Sequence, residues 1–236
     1  MPKRIKDITF EPKAGNPINA LVMMFDLSGF SRFFSQPDVQ QYVPKYLNKI
    51  FNCVSINING GNDWWGESPG YLSSLKPPIH QKFLGDGALY LWNLNDFGQT
   101  NVVILANRLW NLKNGFEKVS GACSEEVPVI DLPEKIRFGL SAGSVYKLTY
   151  TNSIQTEYIG YPINLASRLQ GYCRDLGFIA SARLNLPPKK LSENGYIKVI
   201  AKNLKGFPKE IVIVDGTEYE ELDNETREQL FERIKI

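Results

Sequence analysis

Two acids stand out because each closes an apolar run: Asp26 at the end of NALVMMFD and Asp86 within KFLGDGALYLW. Taken singly, each has an ordinary explanation. Asp26 precedes the turn LSGF and can cap a following helix, while Asp86 before Gly87 suits a hairpin tip for its backbone angles alone. If the two strands are neighbours in one sheet, however, the carboxylates lie side by side. With no histidine cluster to help them, such a pair is most readily stabilised by a divalent cation with oxygen ligands, magnesium or manganese. The turn after Asp26 holds Ser28, Gly29 and Ser31, and a glycine-bearing turn that opens a helix presents free N–H groups to an anion. A metal next to an anion site implies a polyphosphate. Asn164 and Arg168, four apart in NLASR, project from one face of a helix, although a surface pair gives the same spacing.

Composition removes several alternatives. The 236 residues carry 27 basic and 25 acidic side chains, a net charge of +2, which lacks the basic excess of a nucleic-acid binder. His80 is the single histidine, so metal sites that need two are impossible, and in its Pro-rich surroundings it reads as solvated. Cys53, Cys123 and Cys173 form no CxxC pair and read as reduced, structural thiols. No signal-peptide stretch follows the charged start, and nowhere do 18 apolar residues run together, so a cytoplasmic protein without membrane contact is expected.

The elements that must position these residues follow from periodicity. A strand over 19–26 leads through a tight turn to a helix from Phe30 to Val54. Residues 57–81, rich in Gly, Pro, Asn and Ser and containing Trp64 and Trp65, read as a long loop. A hairpin turning at Gly85-Asp86 and a second long helix through Val102–Leu112 come next. Strands over KIRFGLSAG, 145–150 and 155–159, a third helix INLASRLQGYCRDL, and the strands GFIAS, YIKVI and EIVIV complete the core. The tail reads as an acidic amphipathic helix over 218–235. This order predicts an α+β architecture with helices over a mixed sheet.

The strings FDLSGFSRFF, KFLGDGALYLW, FGLSAGSV and EYIGYPINLASRLQ, in that order, resemble the four main motifs of the class III nucleotidyl cyclase catalytic domain, and LKGF is similar to its phosphate-side segment. The similarity spans about residues 19–214. It implies one catalytic domain over 1–236 with a ferredoxin-like, mostly antiparallel sheet, working as a head-to-tail homodimer with active sites at the interface. It further implies that Asp26, Asp86 and Leu27 are metal ligands for two divalent cations, Mn2+ or Mg2+. Asn164 would orient the ribose and Arg168 contact the α-phosphate, both from the partner subunit. Leu27, Ser28, Gly29, Phe30 and Ser31 would hold the β- and γ-phosphates, with Lys205 of LKGF as a terminal-phosphate contact. At Lys205 the match departs, since GFPKE follows where the family often has a second Lys. A catalytically silent nucleotide-binding module would have lost a metal acid or the Asn/Arg pair, and neither is lost. A palm-fold enzyme such as a diguanylate cyclase shares the two-metal logic, but the absence of a GGDEF-like string and the presence of NLASR speak against it.

In that family the base is read by the positions held here by Lys82 and Glu157, four before the second acid and seven before the Asn. Many adenylate cyclases have Lys with Asp, and guanylate cyclases Glu with Cys, so Lys82 argues against guanine and Glu157 departs from the adenine pair. A glutamate reaches roughly 1.5 Å further than an aspartate, which suits a smaller base. Lys with a carboxylate satisfies adenine, cytosine or uracil after a small shift of register. The motif style and the 60 residues between the acids resemble the pyrimidine cyclases of bacterial antiphage (Pycsar) systems, whose cyclic UMP or cyclic CMP acts on a separate effector. The expectation is a uridylate cyclase, with adenylate or cytidylate cyclase as alternatives.

Overall fold

A continuous apolar run builds the centre of the first strand, β1 (Pro12–Ser28), whose residues Ala20 to Phe25 are all buried because both faces of the sheet are covered there. In this computed structural model, residues 12–59, 75–150 and 156–234 are described. After Gly29 comes α1 (Phe30–Phe34), then a single 3-10 turn over Val39–Gln41 and α2 (Val43–Asn59). The helix expected from Phe30 to Val54 is therefore broken. Pro37 lacks the N–H that would extend α1, whereas Pro44 sits in the first turn of α2, where that N–H has no helical partner to lose.

The chain continues through β2 (His80–Phe83), β3 (Gly87–Asn93), α3 (Leu94–Phe97) and α4 (Gln99–Ser124). Then follow β4 (Lys135–Tyr150), β5 (Thr156–Ile159), α5 (Tyr161–Gln170), β6 (Phe178–Ser181), α6 (Pro188–Glu193), β7 (Tyr196–Leu204) and β8 (Phe207–Asp215). The expected loop over 57–81 is bounded by α2, which runs to Asn59, and by β2. Its centre, with Trp64 and Trp65, lies outside the described residues. The expected helix over 218–235 is instead α7 (Gly216–Glu221), α8 (Asn224–Leu230) and β9 (Phe231–Arg233). Leu222 takes an extended backbone, and Asp223 caps the second helix by accepting from the Thr226 N–H at 2.8 Å, which starts a new helix rather than prolonging the first.

The strands form one sheet in the order β2-β3-β1-β4-β6-β8-β7-β9, with β5 paired to β4. Among the described residues only β4 and β6 run parallel, and every other pairing is antiparallel. The part β1-α2-β2-β3-α4-β4 with sheet order β2-β3-β1-β4 is a ferredoxin-like unit. One face carries Leu21, Met23, Phe25, Tyr90, Trp92 and Phe138 against α2 and α4. The other carries Ala20, Val22, Met24, Leu89 and Leu91 and is covered by α5 through Ala166. The covering is close because β4 has Gly139 there: a Cβ on it would fall 2.1 Å from the Ala166 carbonyl oxygen. His80 is not the solvated loop residue expected. It opens β2 and packs its ring 5.0 Å from that of Tyr158. All three cysteines are buried and free, and burial pushes the Cys53 thiol up to about 12. Among the described residues no helix is long and apolar enough to cross a membrane.

Candidate active site

Register decides where the acids sit. Asp26 lies near the end of β1 and pairs with Gly87 of β3, and the Leu27 N–H donates to the Asp86 carbonyl at 3.0 Å. Gly87 makes this approach possible, since a Cβ there would fall 1.9 Å from the Phe25 carbonyl oxygen. The β2–β3 connection turns at Gly85 and Asp86, with Gly85 at φ 100°, and the Leu84 N–H closes it on the Gly87 carbonyl at 2.9 Å. Asp86 is half-buried and close enough to raise the Asp26 carboxyl.

On its other side Asp26 pairs with Arg137 of β4. The guanidinium grips the carboxylate with two hydrogen bonds, Nε to Oδ1 at 2.9 Å and Nη2 to Oδ2. Burial pushes the Asp26 carboxyl above its ordinary value, Arg137 pulls it back, and the Asp86 charge adds to the rise. A half-buried carboxylate beside another acid thus has a cation-shaped demand, which one guanidinium meets here. Arg137 carries no local sequence signal, because its pairing depends on a register between strands 111 positions apart.

Do these groups fit divalent cations? Among the described residues no cluster of three or more His, Cys, Asp or Glu gathers as a metal cage. Two hard carboxylates at one sheet end match magnesium or manganese held partly by substrate phosphates, which use one or two protein carboxylates rather than a full cage. Asp26 and Asp86 would hold such ions. The turn after Asp26 places Gly29 at φ 89°, ahead of the five-residue α1 with Phe30 and Ser31.

The remaining expected residues lie in three places. Asn164 and Arg168 lie on α5, both exposed, and neither bonds to Asp26 or Asp86 among the described residues. Lys82 of β2 and Glu157 of β5 meet directly, with Nζ 2.7 Å from Oε1. Glu157 lies four residues before the start of α5, and Lys82 four before Asp86. Lys205 is exposed at the β7–β8 turn, where Gly206 takes φ 84° and Leu204 pairs with Phe207.

No protein-family model and no curated protein matches the chain. Solved structures do. The guanylyl cyclase Cya2 is similar with a TM-score of 0.60 at 18% identity, over 86% of this chain and 93% of that one. The adenylyl cyclase CyaB from P. aeruginosa has a TM-score of 0.60 at 16% identity, over 84% and 94%. The guanylate cyclase domain of RhGC from Catenaria anguillulae, in complex with GTP, has 0.56 at 15%, over 84% and 97%. The fold is that of a class III cyclase domain. In this fold the two acids share one end of the sheet, Asn164 and Arg168 stand exposed on α5, and Lys82 pairs with Glu157 across β2 and β5.

Proposed function

We propose that the chain is a nucleotidyl cyclase that forms a head-to-tail homodimer and converts a nucleoside triphosphate to a 3′,5′-cyclic nucleotide and pyrophosphate. The observation that carries this reading is the convergence of Asp26 and Asp86 at one end of the sheet, with Asn164 and Arg168 exposed on α5 and, among the described residues, not hydrogen-bonded to either acid. A second copy is then needed to bring the halves together. The ribose 3′-oxygen attacks the α-phosphorus, the bond to the β-phosphate oxygen breaks, and the 3′-hydroxyl proton is lost. Two cations on Asp26 and Asp86 supply acidification of that hydroxyl and neutralisation of the triphosphate. Asn164 orients the ribose, and Arg168 meets charge that grows on the α-phosphate, where electrostatic help lowers the barrier most. The turn Leu27–Ser31 and Lys205 of the partner hold the outer phosphates.

Among the bases that the Lys82–Glu157 pair can satisfy, we take uracil as the substrate's. Its O4 accepts from the lysine and its N3–H donates to the glutamate, whose extra length reaches the smaller ring. The resemblance to pyrimidine cyclases supports the same choice and a role in bacterial antiphage signalling through a separate effector. The test is incubation of the purified protein with each of ATP, GTP, CTP and UTP plus manganese, with products identified by mass spectrometry. Cyclic UMP as the fastest product is expected. Cyclic AMP formed fastest would overturn the uridylate assignment, and nucleotide binding without turnover would overturn the enzyme reading.

A further inference from the structure

Away from both acids, a closed network surrounds one buried carboxylate. Glu210 of β8 is 5% exposed, and both its oxygens are fully used. Oε1 accepts from Ser181 Oγ at 3.0 Å and from Arg183 Nε at 2.8 Å, and Oε2 accepts from Arg183 Nη2 at 3.1 Å and from the Tyr161 hydroxyl at 3.1 Å. Arg183 also lies over the Tyr161 ring, 4.6 Å from its centroid, and that ring meets Phe207 edge-on at 4.7 Å. Burial and the Glu210 carboxylate raise the Tyr161 phenol, so it stays protonated and donates.

The position of these groups is what gives them a use. Tyr161 is the first residue of α5, and Asn164 and Arg168 follow at i+3 and i+7, so the three occupy one helical face. Phe207 opens β8 two positions after Lys205. Gly139 lets α5 rest on the β4 backbone, and Leu165, Ala166 and Leu169 bury its inner face. At its first residue the Tyr161 hydroxyl and ring tie the helix to Glu210, a carboxylate that Arg183 fixes with a charge-assisted fork.

We infer that Tyr161, Arg183 and Glu210 are positioning residues: they lock the Asn164/Arg168 face of α5 to the hairpin that carries Lys205, so that one chain lends a rigid three-point grip to the triphosphate held by the other. This rests on the homodimeric cyclase reading above. Losing the lock leaves the binding groups present but misaligned. Misplacement by about an ångström costs up to about 100-fold in rate, so Glu210→Gln should lower kcat by roughly 10- to 100-fold while KM stays within about twofold. Tyr161→Phe, which keeps the ring and loses one hydrogen bond, should lower kcat by about two- to fivefold.

Mixing variants separates this role from mere folding. An equal mixture of Asp86→Ala with Glu210→Gln should recover up to about a quarter of wild-type activity, because half the dimers are mixed and each contains one site with both intact halves. The control mixture, Asp86→Ala with Arg168→Ala, must recover in the same way. If the control fails, the homodimer reading is wrong. If the control recovers and the Glu210→Gln mixture does not, the lock does not serve the lent helix and the inference is overturned. Should Glu210→Gln not fold, Tyr161→Phe takes its place, and an unchanged kcat for that folded variant would equally sink the idea.

Discussion

Asp26 is held by a guanidinium at the place where the proposed reaction needs metal ions, and the two cannot both own the same oxygens. Replacing Arg137 by alanine should therefore tighten manganese binding in the absence of nucleotide, by a few-fold, since a competing positive charge is gone. Calorimetry or manganese paramagnetic resonance would read this, and weaker binding in the variant would show that Arg137 helps build the site rather than guarding it. The same variant should lose about 1–3 kcal/mol of stability without metal, because a half-buried carboxylate is left without its counter-ion. Gly87→Ala presses a methyl group into the Phe25 carbonyl and should cost about 1–3 kcal/mol, with loss of activity at temperatures where the chain is still folded. Thermal unfolding and activity measured on one sample would check it; a fully active variant would mean that the two strand ends need not stay in register. Asp26 and Asp86 were legible in the sequence because each ends an apolar run, a local signal. Arg137 and Glu210 were not, since their meaning comes from partners 111 and up to 49 positions away.

The elements repeat this division between local and distant information. The hairpin and the long α4 follow from turn chemistry and period, and the structure has them there, whereas the third helix, expected over 163–176, spans Tyr161–Gln170 and stops at Gly171. The first helix and the tail differ from the expectation because apolar periodicity continues through Pro37 and past Leu222, where backbone geometry overrides it. One contact between elements has a testable pH signature. Glu126, just beyond α4, takes ion pairs from Lys45 and Lys49 of α2, and these two lysines hold its carboxyl down to about 2, against an ordinary value of 4.5. A depressed carboxylate stabilises above the unfolded value and loses that contribution as pH falls through the folded one. Glu126→Gln should thus melt slightly below wild type at neutral pH, and the gap should close between pH 4.5 and about 2 and shrink with added salt, because the pair is exposed. A gap that persists at pH 2 would assign the effect to packing instead.

Across the whole molecule, the ferredoxin-like unit buries α2 and α4 against one sheet face, and α5 covers part of the other, leaving Asn164 and Arg168 outward. A chain whose proposed site is completed only by a second chain must lose turnover on dilution. Specific activity should fall as the protein is diluted through the dimer dissociation constant measured by sedimentation, and constant specific activity in monomeric samples would refute shared sites.

The β2–β3 hairpin has one more effect in such a dimer. Lys82 and Asp86 are four positions apart on it, yet Lys82 belongs with Glu157 and the lent half, while Asp86 belongs with the metal half. A single short ribbon therefore borders both catalytic centres, and a nucleotide seated in one of them tugs on the frame of the other. Velocity plotted against substrate concentration should then bend away from a simple hyperbola, with the first molecule bound setting the pace for the second.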